Sequence, residues 1–106
     1  MTESFRSEVL GQLCEMNSNI SRPHHFDFYL YLPTELAAKQ AAEKIRARNF
    51  VVEVLPAASG SDWLCKATIK IVPETAPLDD IRIFFEEVVS ASNGNFDGWE
   101  SDVVRM

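Results

Sequence analysis

Hydrophobic and polar residues alternate without a break from His25 to Leu32. Phe26, Phe28, Leu30 and Leu32 fall on one parity, and His25, Asp27, Tyr29 and Tyr31 on the other. A period of two marks a strand with one buried face, so the pattern predicts a strand over 25–32 that Pro33 ends. Ahead of it, Phe5, Val9, Leu10, Leu13 and Met16 recur at spacings of three and four, predicting an amphipathic helix over 4–16 with Ser4 as its N-cap. The Asn- and Ser-rich stretch 17–23 ends in proline and reads as a linker. The chain thus divides into an N-terminal helix and linker, 1–23, and a domain, 24–106.

Within that domain, Thr34 is placed to cap a helix from Glu35 to near Asn49 whose buried stripe is Leu36, Ala37, Ala41 and Ile45. The β-branched run Phe50 to Pro56 predicts a second strand and Trp63 to Val72 a third. The Ser-Gly-Ser-Asp turn at 59–62 between them argues for an antiparallel hairpin. Beyond Pro73, the residues Leu78, Ile81, Phe84, Phe85 and Val88 predict a helix over 76–92, with Pro77 in its first turn and Asn93-Gly94 as its stop. Phe96 to Val104 supplies the last strand. The order β-α-β-β-α-β is the split βαβ pattern. The expected fold is therefore an α+β, ferredoxin-like sandwich: a four-stranded antiparallel sheet with two helices on one face, plus the N-terminal helix.

Composition narrows the function classes. A chain of 106 residues suits one domain, and 46% hydrophobic with 25% charged residues is the balance of a folded globular protein. The net charge of -6 opposes direct binding to nucleic acid. All of that excess lies in residues 73–106, where Glu74, Asp79, Asp80, Glu86, Glu87, Asp97, Glu100 and Asp102 face only Arg82 and Arg105. The first helix of the domain, by contrast, carries Lys39, Lys44, Arg46 and Arg48. Solvated helix faces account for this pattern, and so does an acidic surface that docks on a basic protein segment.

Catalytic and metal chemistry find little support. Cys14 and Cys65 form no CxxC pair, are too few for an iron–sulfur cluster and suit a reducing compartment. Cys65 shares its parity with Trp63, Ala67, Ile69 and Ile71, which makes it a core residue. His24 and His25 are adjacent and point to opposite faces of a strand. Phosphate-loop and dinucleotide fingerprints are missing, and no carboxylate pair stands out. The expectation is a non-enzyme with no cofactor, metal ligand or catalytic residue. The sequence shows no signal-peptide-like or membrane-length apolar run, which points to the cytoplasm and no membrane partner.

Asp27, Tyr29 and Tyr31 should face away from the helices, where some ferredoxin-like domains stack RNA bases. Such domains carry an aromatic motif on the third strand, whereas here Lys66, Thr68 and Lys70 point outward, so cross-strand packing of the tyrosines is the plainer reading.

The segment Asn-Gly-Asn-Phe-Asp-Gly-Trp-Glu at 93–100 resembles the GG-x-[YF]-DGWE signature of the RraB family, protein regulators of ribonuclease E. The strand at 24–33 with its terminal proline and the Ala-rich helix after it are similar to the family's opening elements. So are the run from Phe50, Trp63 and the Val-Pro at 72–73. The resemblance spans about residues 24–104. It implies a non-catalytic ferredoxin-like domain that binds ribonuclease E and lowers its cleavage of RNA. In the family's best-known members the contact is with an arginine-rich, noncatalytic region, a target that an acidic domain suits. The candidate partner-facing residues are Asp27, Tyr29, Tyr31, Trp99, Glu100 and Asp102. A homo-oligomer stays open. So do two other classes: a small-molecule-binding regulatory domain of the ACT type, and a dimeric α+β barrel enzyme.

Overall fold

The computed structural model describes residues 4–105. Its elements follow the order α1 (Phe5–Glu15), β1 (His24–Leu32), α2 (Glu35–Arg46), β2 (Val51–Pro56), β3 (Trp63–Ile71), α3 (Leu78–Ser90) and β4 (Asn95–Ser101). The four strands form one antiparallel sheet in the order β2-β3-β1-β4. This is the ferredoxin-like arrangement that the sequence predicts. α2 packs over β2 and β3, α3 over β4 and β1, and α1 lies beside α3. Among the described residues no helix lies on the opposite face of the sheet.

The alternation of β1 decides which face is which. Phe26, Phe28, Leu30 and Leu32 are buried against the helices, while Asp27, Tyr29 and Tyr31 stay half-buried on the open side. Phe85 of α3 sits at the centre of the core, its ring centroid 5.1 Å from Phe28, 5.3 Å from Phe50 and 5.6 Å from Phe96. Cys65 lies on the core face of β3, where its thiol donates to the Ala38 carbonyl at 3.1 Å; burial pushes that thiol up to about 11 although Arg46 pulls it down.

Two side-chain caps open helices as expected: Ser4 accepts from the Ser7 N–H and Thr34 from the Ala37 N–H. Pro77 stands one position before the first residue of α3. Each helix is followed by an asparagine in the left-handed region: Asn17, Asn49 and Asn93. After Asn93 the chain passes so close to β1 that a β-carbon on Gly94 would lie 2.6 Å from the Tyr31 carbonyl oxygen.

Two expectations are corrected. Leu36, assigned to the buried stripe of α2, is 67% exposed. The stripe is instead Ala37, Ala38, Ala41, Ala42 and Ile45; at about 100° per residue Leu36 points away from its centre. The last strand also stops at Ser101 and not at Val104. Beyond it the chain leaves the ladder and bonds to the segment after α1. There the Asn19 N–H donates to the Val104 carbonyl at 2.6 Å, and the Val104 N–H donates to Ser18 Oγ at 2.9 Å.

That segment, 17–23, is also tied to the sheet. His24 is fully buried, with Nε2 2.6 Å from Ser18 Oγ and Nδ1 2.7 Å from the Arg22 carbonyl. A carbonyl only accepts, so Nδ1 carries the proton, and in the neutral ring the Ser18 hydroxyl donates to Nε2. Phe5, Val9 and Leu13 bury the inner face of α1 in the common core, and the Arg6 N–H donates to Asp79 Oδ1 at 2.9 Å.

Candidate functional site

The open face is built by strand register. Asp27 stands between Thr68 of β3 and Glu100 of β4, Tyr29 between Lys66 and Gly98, and Tyr31 between Leu64 and Asn95. Thr68 Oγ1 donates to Asp27 Oδ1 at 2.6 Å, and Lys66 Nζ lies 3.9 Å from Asp27 Oδ2. Asp27 is thus engaged on the β3 side. Tyr29 Oη donates to Glu100 Oε2 at 3.1 Å. Burial comes first, then that hydrogen bond and the negative charges of Glu100 and Asp27, in pushing the Tyr29 phenol up from 10.0 to about 12. It stays a neutral donor throughout the physiological range. Further out, β2 turns Val51, Glu53 and Leu55 to the same side, with Val51 70% exposed.

β4 carries an irregularity that shapes the site. Gly98 pairs with Tyr29 and Phe96 with Leu30, so Asp97 is an extra residue in the ladder, a β-bulge, and Gly98 adopts φ +126°. The bulge resets the side-chain alternation. Phe96 and Trp99, three residues apart, both reach the core side, where the Trp99 ring lies 5.7 Å from Phe26. Trp99 remains half-buried with its ring on the core side, and on the open face β4 borders a depression of about 360 Å³ at Asp97, Trp99 and Glu100, opposite Tyr29 and Tyr31.

Four of the six candidate residues, Tyr29, Tyr31, Trp99 and Glu100, thus meet at one concavity. Asp27 lies beside it, occupied by Thr68 and Lys66. Asp102 lies two residues past Glu100, at the end of the sheet, where Oδ1 accepts from the His25 N–H at 3.0 Å and Oδ2 lies 3.4 Å from His25 Nδ1. Burial alone would raise the Asp102 carboxyl; the hydrogen bonds from the His25 backbone and ring outweigh it and hold the group below the usual carboxylate range. The residue that sequence reading missed as a lining group is Asp97. Its signal was the Asp-Gly step itself, because a bulge sends two successive residues toward the rim.

On the other side of β4 a cleft of about 390 Å³ runs under α1 and α3, lined by Phe5, Glu8, Gln12 and Arg82 and again by Asp97 and Trp99. The Arg82 guanidinium lies 5.5 Å from the centre of the Phe5 ring and 3.7 Å from Glu86. Among the described residues no group of three or more His, Cys, Asp or Glu side chains is placed to hold a metal ion. Among the same residues no helix is long and apolar enough to cross a membrane.

Against known proteins, the profile of one family, described as regulator of ribonuclease activity B, matches residues 3–101. No curated protein and no solved structure matches the chain.

Proposed function

The chain belongs to the RraB family of regulators of ribonuclease activity, and on that premise we propose that it binds ribonuclease E through a basic segment of that enzyme and so lowers its cleavage of RNA. The observation that carries the reading is the open sheet face. It combines the carboxylates Asp27, Asp97, Glu100 and Asp102 with the rings of Tyr29 and Tyr31, on the side of the sheet that no helix of the described residues covers. Such a face repels RNA and attracts basic polypeptide, so regulation proceeds by contact with the enzyme and not by competition for its substrate.

The regulator performs no chemistry of its own and needs no cofactor. Its two thiols, Cys14 exposed and Cys65 buried, suit the reducing cytoplasm in which RNA processing occurs.

The test is retention of ribonuclease E from a cell extract on the immobilised chain at low salt, paired with RNA cleavage by purified ribonuclease E in the presence of the chain. The expected result is retention that falls as salt rises, with slower cleavage. Failure to retain the enzyme at low salt, or retention with unchanged cleavage, counts against the reading.

A further inference from the structure

The two concavities flanking β4 share Asp97 and Trp99 but differ in charge. The cleft under α1 contains Arg82 as well as Glu8 and Asp97. The depression on the open face is lined by two carboxylates, two tyrosines and the Trp99 position of β4, with no basic group among its lining residues.

We infer that this depression, beside the rings of Tyr29 and Tyr31 with Asp97 and Glu100 on its rim, is a guanidinium subsite that selects arginine over lysine in a partner protein. Planar, weakly hydrated guanidinium stacks on aromatic faces and offers paired N–H donors to carboxylates; a lysine ammonium is a compact, strongly hydrated point charge that does neither as well.

The fold prepares the site in three ways. The Tyr29 hydroxyl engages Oε2 of Glu100, which holds that carboxylate beside the rings and leaves Oε1 for a ligand. Asp97 forms no ion pair and no hydrogen bond through its side chain among the described residues, because the bulge carries it out of the ladder. Opposite Tyr29 the bulge places Gly98, so no side chain from β4 stands across the Tyr29 ring. The cleft on the far side of β4 does not share this selectivity, since Arg82 would repel an incoming cation.

The inference rests on the function proposed above only for the identity of the protein that presents the arginine. The experiment is calorimetric titration of the full chain with two synthetic peptides of equal length and charge, one with arginine and one with lysine at every basic position. The arginine peptide is expected to bind about tenfold tighter or more. Asp97→Asn and Glu100→Gln, both on exposed side chains, should narrow that ratio with the unfolding midpoint retained. Equal affinities overturn the inference, as does arginine selectivity that leaves both variants unaffected. Retention of ribonuclease E without arginine selectivity sinks the subsite alone, while arginine selectivity without retention sinks the proposed partner alone.

Discussion

Tyr29 of β1 donates its hydroxyl to Glu100 of β4 at 3.1 Å, joining the middle of the sheet to its edge across the candidate site. Burial, that bond and the nearby negative charge hold the phenol at about 12. The chain has two tyrosines, so Tyr31→Phe isolates Tyr29 for phenolate absorbance, with circular dichroism reporting the fold. Its ionisation is expected near pH 12 and should move down toward 10 when Glu100→Gln is added. The sign for stability follows from a raised folded pKa: the contribution is whole below the unfolded value of about 10 and is lost as pH climbs toward 12. A midpoint already near 10 with the glutamate present would show that the pair does not form.

Asp102 and His25 make the opposite case. The Asp102 carboxyl is held below its ordinary range, so its contribution is present above that range and is lost as pH falls through the lowered value. Urea midpoints for Asp102→Asn should lie below those of the parent at neutral pH and converge with them at pH ~2. The side chain is 45% exposed, so the effect is modest. A deficit that stays constant over the whole pH range would rule out the linkage.

The same substitution at two glycines should act with opposite signs. Gly94→Ala drives a β-carbon to 2.6 Å from the Tyr31 oxygen and 2.7 Å from Leu32 Cδ1, and a clash of that kind costs about 1–3 kcal/mol. Gly11 lies exposed in α1 with nothing within 4 Å of a new β-carbon, so Gly11→Ala should stabilise by roughly 0.5–1 kcal/mol. Thermal midpoints that move in the same direction for both would contradict the backbone approach seen at Gly94.

Ser18 serves both the imidazole of His24 and the N–H of Val104. Ser18→Ala leaves the buried His24 ring nitrogen and the part-buried Val104 N–H without their partner, at a cost of about 1–3 kcal/mol. Amide exchange should quicken at Val104 beyond what the stability loss alone produces. Unchanged exchange there would mean the C-terminal segment is held by other contacts.

Much of this architecture is legible in hydrophobic spacing because β1 alternates over its whole length and the turns are marked by Pro33, Gly60 and Asn93-Gly94. What spacing could not show is where the period itself is broken. The bulge at Asp97 and Gly98 puts Phe96 and Trp99 on one side, although strict alternation would separate them. In α2 the helix approaches the sheet through four alanines, so the residue of highest hydropathy at its start, Leu36, was the wrong guide to the buried face. The six candidate residues came from strand parity and from the DGWE resemblance. Neither could tell that Asp102 is tied to His25 and Asp27 to Thr68, because those partners lie on other strands and depend on register.

The N-terminal helix offers the sharpest remaining contrast between pattern and packing. A helix followed by an Asn- and Ser-rich linker reads as an appended arm, yet Val9 and Leu13 are fully buried in the same cluster as Phe85 and Phe96 packs on it. If α1 belongs to the cooperative unit, Leu13→Ala should lower the stability of the whole chain by about 2–5 kcal/mol, the range for a leucine truncated in a tight core. At roughly 4–8 °C per kcal/mol for a domain of this size, the melting midpoint shifts far enough to read directly. Emission from Trp63 of β3 in a Trp99→Phe background provides the discriminating probe, since Trp63 lies outside the cleft that Trp99 lines with α1. Coincident shifts in emission and far-ultraviolet dichroism are expected. A loss of helical signal with an unmoved tryptophan transition would instead make α1 an arm that folds and unfolds on its own.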